Sequence, residues 1–273
     1  MRLLELYIHI PFCKKKCKYC DFLSGPSTAD ERESYVKSLC QDIRSYAHLA
    51  EACRVISIFV GGGTPSTLTA FQMQQIFSAV RDTFVVEENA EITVEMNPGT
   101  VDREKLFGYK KCGINRLSIG LQSTKNRELQ ILGRIHTYEE FLETYRMARA
   151  EGFENINVDL MSAIPGQNLA DWEENLKTVA ELAPEHISAY SLIVEEGTPF
   201  YEEYGEGRHA DELPDEETER KMYWKTKEIL SKYGYERYEI SNYAKPGYAC
   251  RHNIGYWERT EYLGIGTGAA SLI

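Results

Sequence analysis

The sequence predicts an α/β fold with a parallel sheet, because six strand-like segments alternate with helix-like ones along most of the chain. Each segment is short and rich in Val, Ile, Leu, Phe and Tyr, which is typical of strands buried on both faces. The six segments are Leu6–Ile10, Val55–Val60, Glu91–Asn97, Asn115–Leu121, Asn155–Met161 and His186–Ile193. A partly closed barrel and a flat doubly wound sheet both agree with six βα units.

Helix-start signals lie between these strands. Three threonines are each followed, three residues later, by a carboxylate or amide side chain, which is the spacing of a capping box. They are Thr28, Thr69 and Thr137. Asn168 is in the position of a cap for a further helix, which should end before Pro184.

The C-terminal part of the chain has a different pattern. Residues 201–217 are rich in Gly, Glu and Asp and are predicted to form a linker. A helix is expected over Glu216–Tyr233 and a strand over Tyr235–Tyr243. We therefore divide the chain into a βα domain (1–200), this linker, and the start of a short α+β region (218–273). The last residues carry no polar tail, which we interpret as truncation inside a structured region.

Composition narrows the class of protein. The net charge of −11 over 273 residues argues against a nucleic-acid partner, because that affinity depends on lysines and arginines that neutralise phosphates. Seven cysteines, an odd number, fit a disulfide framework poorly. The chain contains no run of about eighteen apolar residues, so no membrane span is predicted. The chain begins directly with a strand pattern and leaves no room for a signal peptide, so we expect a cytoplasmic protein.

Three cysteines lie close together after the first strand. Cys13, Cys17 and Cys20 can converge from one loop onto an inorganic centre. A structural zinc site needs four ligands, and His9 is the only nearby fourth candidate. A disulfide would leave one thiol over. The spacing favours a [4Fe–4S] cluster, in which three thiolates leave one iron open.

Polar residues follow several of the predicted strands. Gly61–Pro65 comes after the second strand, and glycines there let the backbone approach a ligand closely. Glu95, Gln122 and Asp159 lie at or near the ends of the next three strands. Because ligand groups gather at the carboxyl ends of parallel strands, these residues are candidates for one site. Each alone also fits a salt-bridge partner or a loop cap.

The C-x3-C-x2-C spacing, with the aromatic Tyr19 before the last cysteine, resembles the signature of the radical SAM superfamily. The resemblance implies a partial (β/α)6 barrel, a [4Fe–4S] cluster on Cys13, Cys17 and Cys20, and S-adenosylmethionine (SAM) bound at the open iron. An electron from the reduced cluster would cleave SAM to a 5′-deoxyadenosyl radical. The implied SAM-binding residues are Tyr7, Tyr19, Gly62, Gly63, Thr64, Glu95, Gln122, Arg134 and Asp159.

Nearly the whole chain resembles one branch, the oxygen-independent coproporphyrinogen III oxidases and the HemW haem chaperones. The segments that carry the similarity are Tyr7–Cys13, Gly61–Pro65, Asn97–Gly99, Ser118–Ser123 and Leu132–His136. Phe22 stands where the oxidases have a fourth cysteine, and their N-terminal extension is not seen ahead of Cys13. The run from His252 to Trp257 matches the H-N-x-x-Y-W haem motif of the chaperones.

This resemblance implies His252 as a haem-iron ligand, with Tyr256 and Trp257 packed on the porphyrin. We expect a haem chaperone that passes haem to an acceptor haemoprotein, for example a respiratory one, without turning over the porphyrin. A homodimer is left open. The alternatives are SAM-dependent decarboxylation of coproporphyrinogen III propionates and, less favoured by the charge, a radical enzyme acting on RNA. Ala270 replaces a histidine of the related proteins, so the role of that histidine is not carried over.

Overall fold

Nine strands form one sheet at the centre of the molecule. The computed structural model describes residues 1–273. The strands are β1 (Arg2–Ile10), β2 (Cys53–Gly62), β3 (Val86–Met96), β4 (Arg116–Gln122), β5 (Ile156–Ser162), β6 (His186–Ser191), β7 (Glu236–Arg237), β8 (Asn242–Ala244) and β9 (Tyr262–Ile265). Their order across the sheet is β7-β8-β6-β5-β4-β3-β2-β1-β9.

Ten helices connect or flank the strands. They are α1 (Ala29–Ser45), α2 (Ala47–Ala50), α3 (Ala70–Thr83), α4 (Arg103–Lys111), α5 (Asn126–Ile131), α6 (Tyr138–Ala150), α7 (Leu169–Glu181), α8 (Pro199–Tyr204), α9 (Glu216–Lys232) and α10 (Arg251–Glu258). The capping boxes predicted from the sequence are confirmed at the starts of α1, α3 and α6, and Asn168 caps α7. In each of the four, a side chain satisfies a backbone N–H that the first helical turn leaves unpaired.

Strands β1 to β6 are parallel and adjacent in chain order, which confirms the α/β barrel prediction. One face of each strand carries apolar side chains that belong to the main core beneath the helices, as Leu4, Leu6 and Ile8 do in β1. Residues at alternate positions point to the other face, because successive side chains of a strand alternate. In β1 that face carries Glu5 and Tyr7, so the interior of the barrel is polar.

Residues 218–273 add strands to both edges of this sheet. β8 pairs antiparallel with β6 and with β7, whereas β9 pairs parallel with β1. The single strand expected over Tyr235–Tyr243 is a wrong prediction, because the chain reverses between β7 and β8. The Glu239 carboxylate accepts a hydrogen bond from the Ser241 N–H (2.8 Å) within that reversal.

The stretch predicted as a linker begins with helix α8, whose Phe200 and Tyr204 are buried. Both pack in a small cluster with Leu132 and Met161 from the barrel. The apolar side chains therefore hold part of this stretch against the barrel. None of the ten helices combines the length and apolar composition that crossing a membrane requires.

Candidate functional site

The three cysteines lie in the loop that follows β1, at the carboxyl end of the barrel. All three are free and partly exposed. Backbone hydrogen bonds fix the loop at two points, from Cys13 N to Gly25 O (2.8 Å) and from Lys18 N to Leu132 O (3.1 Å). No three His, Cys, Asp or Glu side chains converge as ligands of a single metal ion. In a [4Fe–4S] cluster each thiolate binds a different iron, so such convergence is not required.

Two of the thiols receive hydrogen bonds from polar side chains. Arg134 Nη1 donates to Cys17 Sγ (3.4 Å), and Thr64 Oγ1 donates to Cys13 Sγ (3.5 Å). Asn97 joins the two donors, because its Oδ1 accepts from Arg134 Nη2 (2.6 Å) and its Nδ2 donates to Thr64 Oγ1 (2.9 Å). Hydrogen bonds to sulfur stabilise thiolates and tune iron–sulfur clusters, so this network fits a cluster on the loop.

The glycine segment after β2 lies directly against the cysteine loop. A Cβ at Gly63 would stand 2.8 Å from the Phe12 carbonyl oxygen and 3.0 Å from Cys13 Sγ. A residue with a side chain would therefore push the loop away, so glycine is required for this close approach. The N–H of Gly62 donates to Glu95 Oε2 (3.1 Å), which joins the segment to β3.

Two carboxyl groups face the barrel interior beneath this loop. Burial, reinforced by the nearby Asp159 carboxylate, raises the pKa of Glu95 to about 8. Burial also raises the pKa of Asp159, which accepts hydrogen bonds from Asn157 Nδ2 (2.7 Å) and Ser118 Oγ (3.4 Å). Neither carboxyl has a lysine or arginine in direct contact. A bound cation would lower both pKa values and hold the two groups as carboxylates, and SAM carries both a sulfonium and an ammonium group.

The other predicted SAM residues surround the same space. Tyr7 stacks on Phe59 (centroids 6.4 Å apart), and its hydroxyl is 3.2 Å from His9 Nδ1. Tyr19 packs near Phe200 at 6.5 Å. Gln122 has a φ of 75° beside a bulge between β4 and β5, a strained conformation of the kind found at functional sites. Tyr7 thus lies in β1 and Tyr19 in the cysteine loop, while Gln122 ends β4, the strand between those that carry Glu95 and Asp159.

Comparisons with known proteins agree with this arrangement. A sequence model of the Radical SAM superfamily matches residues 7–179. The heme chaperone HemW of Escherichia coli is 40% identical over 97% of this chain, which covers 69% of that protein. HemW of Haemophilus influenzae is 38% identical over 97% of the chain, again covering 69%.

The chain belongs to the radical SAM superfamily and, within it, to the HemW family.

Among solved structures, coproporphyrinogen III oxidase (HemN) from Escherichia coli, a radical SAM enzyme, superposes with a TM-score of 0.86 at 27% identity. The match covers all of this chain and 65% of HemN. Membership of the superfamily implies a [4Fe–4S] cluster and SAM. The fold supports this, because the cysteine loop, the glycine segment and the interior carboxyls meet at one end of the barrel.

The H-N-x-x-Y-W segment lies in α10, at the amino end of the barrel and so opposite the cysteine loop. His252 is only 1% exposed, and burial lowers its pKa to about 3. Its Nδ1 is 2.8 Å from Ser57 Oγ and its Nε2 is 3.0 Å from the Tyr256 hydroxyl. Both ring nitrogens of His252 therefore have hydrogen-bond partners inside the protein, and its role as a haem-iron ligand stays a prediction. Trp257 is 58% exposed, and Tyr256 is 40% exposed although its ring packs edge-on against His252 and Tyr262.

Several residues that shape the interior of the HemW-family barrel were missed in the sequence. They are Glu5, Ser57, Phe59, Glu91, Asn97 and Arg116. Each occupies an alternate position in, or directly after, a strand whose other positions are apolar. That two-residue period was a usable signal, since it marks strands with one apolar and one polar face.

Proposed function

We propose that this chain binds a [4Fe–4S] cluster through Cys13, Cys17 and Cys20 and holds SAM beside it. When bound, the cluster supplies the electron that splits the sulfonium of SAM. The chain's own residues orient the cofactor: Glu95 and Asp159 attract its cationic groups. The remaining contacts would come from Tyr7, Tyr19, Gly62, Gly63, Thr64, Gln122 and Arg134. Because Arg134 already bonds Asn97 and the Gly120 carbonyl oxygen (2.6 Å), its main task is to support the cysteine loop.

We further propose that the protein carries haem and passes it to an acceptor haemoprotein, for example a respiratory one, in the cytoplasm. The observation that carries this proposal is the 40% identity to a protein named heme chaperone HemW over 97% of the chain. Supporting it, α10 presents Trp257 and the Tyr256 ring outward, and all seven cysteines are free, as a reducing compartment demands. Decarboxylation of coproporphyrinogen III is not favoured, because identity to HemN is 27%.

The two proposed binding sites lie at opposite ends of the barrel. In this proposal residues 1–200 carry the cluster and SAM, and residues 218–273 carry the haem-facing helix. The chain spans 69% of its HemW relatives, so transfer of haem to an acceptor is proposed for the whole protein.

Haem titration of the anaerobically reconstituted protein tests the proposal. We expect saturable growth of a Soret band, weakened in Trp257→Ala because the largest exposed apolar face of α10 is lost. Trp224→Ala is the matched control, since Trp224 is 57% exposed but lies in α9. Equal binding by all three proteins would remove α10 as the haem surface. No saturable binding by the wild type would contradict the haem function itself.

A further inference from the structure

Helix α10 is fastened to the barrel at its first turn by a residue of another element. Its own cap residue, Cys250, makes no side-chain capping bond to the helix. Instead the Glu91 carboxylate of β3 accepts from the Arg251 N–H (3.1 Å) and the His252 N–H (3.2 Å). Cys250 Sγ donates to the same carboxylate (3.2 Å). A carboxylate at a helix N-terminus satisfies unpaired N–H groups and interacts favourably with the helix dipole.

The middle of α10 is seated just as closely. Gly255 packs so tightly on the Glu5 carboxylate that an added Cβ would overlap both carboxylate oxygens. One turn away from Gly255, the His252 ring enters the barrel and stacks on Phe59, with centroids 5.3 Å apart at an angle of 28°. We call the end of the barrel that α10 contacts the barrel floor; its residues are Glu5, Ser57, Phe59 and Glu91. The helix packs on this floor over two successive turns.

The His252 ring uses all of its polar capacity inside the protein. A neutral imidazole has one donor and one acceptor nitrogen. One faces the Ser57 hydroxyl and the other the Tyr256 hydroxyl, and both contacts are within hydrogen-bond distance. Axial ligation would need one nitrogen lone pair aimed at iron, and the ring would have to leave the barrel to supply it. That movement would strip Ser57 and Tyr256 of their partner.

We propose that His252 is a positioning residue that fastens α10 to the barrel floor, and that it does not coordinate the haem iron. The proposal rests on the haem function proposed above and refines it. His252 holds the Tyr256 hydroxyl inward, and this leaves the Tyr256 ring and the Trp257 indole outward for the porphyrin. Iron ligation, where it occurs, comes from outside the H-N-x-x-Y-W segment.

Three variants of the full chain separate fastening from ligation. His252→Gln keeps a donor group (the amide NH2) and an acceptor (the amide oxygen), but removes the imidazole. His252→Ala removes both hydrogen bonds. Ser57→Ala removes only the partner of Nδ1 and leaves the imidazole in place. Each is studied by hydrogen exchange of the α10 amides without haem, and by ferric haem titration with the spin state recorded by electron paramagnetic resonance.

We expect α10 amides to exchange at least tenfold faster in His252→Ala, several-fold faster in Ser57→Ala, and close to the wild-type rate in His252→Gln. The glutamine variant should bind haem within about threefold of wild type with the same spin state, because a one-decade loss would already be 1.4 kcal/mol. Unchanged α10 exchange in His252→Ala would overturn the fastening role. A folded His252→Gln that loses tenfold or more in affinity, or changes spin state, would identify His252 as the ligand.

The outcomes remain distinct from those of the haem proposal. If wild-type protein binds no haem, the haem function fails, and hydrogen exchange alone decides whether His252 fastens α10. If His252→Gln does not fold, Ser57→Ala takes its place: the fastening role requires faster α10 exchange there, and unchanged exchange contradicts it.

Discussion

Replacing Glu5 with glutamine is expected to stabilise the protein above pH 7 and to change its stability little below pH 5. Glu5 lies in the barrel floor beneath α10 and is 1% exposed. Burial is the largest influence on its carboxyl and raises its pKa from 4.5 to about 7, against the opposing hydrogen bond with Ser57. Glutamine has nearly the same shape and stays neutral at every pH. Glu5 Oε2 lies 3.8 Å from His252 Nδ1, but the two side chains do not form an ion pair at low pH, because burial favours the neutral form of each.

The expected magnitude follows from proton linkage. Between pH 4.5 and about 7 the folded protein binds more protons at Glu5 than the unfolded chain does, so its stability falls as pH rises. The stability that comes from protonated Glu5 is fully present below pH 4.5, the pKa of Glu5 in the unfolded chain. It is lost as the pH rises through about 7, the pKa of Glu5 in the folded protein. Each pKa unit corresponds to about 1.36 kcal/mol, so the full effect is about 3 kcal/mol.

Urea unfolding of wild type and Glu5→Gln at pH 5 and pH 8 measures this difference directly. Other titrating groups, including Glu95, are present in both proteins and cancel in the comparison. Glu196→Gln, at an exposed position, controls for the loss of one carboxylate. The reasoning is refuted if the difference between wild type and Glu5→Gln is the same at both pH values, or if the variant is the less stable at pH 8.

Three further predictions concern the floor and the cysteine loop. Gly255→Ala should lower the free energy of unfolding by about 1–3 kcal/mol, despite the better helix propensity of alanine, because the new methyl group overlaps the Glu5 carboxylate. In a Glu5→Ala background the same substitution should cost much less. An equal cost in that background would exclude overlap with Glu5 as the cause. Cys17→Ala should abolish cluster assembly, measured as bound iron and sulfide, whereas Cys40→Ala, at a buried cysteine of α1, should retain it. Arg134→Met should weaken iron retention against a chelator by about 10–100-fold, and unchanged retention would show that its bond to sulfur is unimportant.

Much of the fold was predictable because its signals are local. The capping boxes at Thr28, Thr69 and Thr137 involve residues three apart, and the structure contains all three. The six parallel strands were found within a few residues of their ends, since each is a short apolar run between helix signals. The reversal between β7 and β8 was missed because pairing with β6, a strand distant in sequence, decides where those strands stop.

The polar interior was harder to predict than the strands that surround it. The strands were interpreted as buried on both faces, and they are, but one face carries Glu95, Asp159 and Arg116. Pairing of the neighbouring strands β3, β4 and β5 brings these groups near one another. The raised pKa values of the two carboxyls result from that packing, because neighbouring elements bury both groups and, for Glu95, the strand two places away adds the Asp159 carboxylate.

By itself the sequence placed Cys13, Cys17 and Cys20 on one loop, because three thiols within eight residues stay near one another however the rest of the chain folds. The sequence also determined the family, because short motifs such as the C-x3-C-x2-C spacing and the H-N-x-x-Y-W run can be recognised without the structure. The tertiary structure alone decided the placement of His252, whose partner Ser57 lies 195 residues earlier in the chain. Whether an imidazole binds a metal or positions a helix depends on the groups around its two nitrogens, and for His252 strands distant in sequence supply those groups.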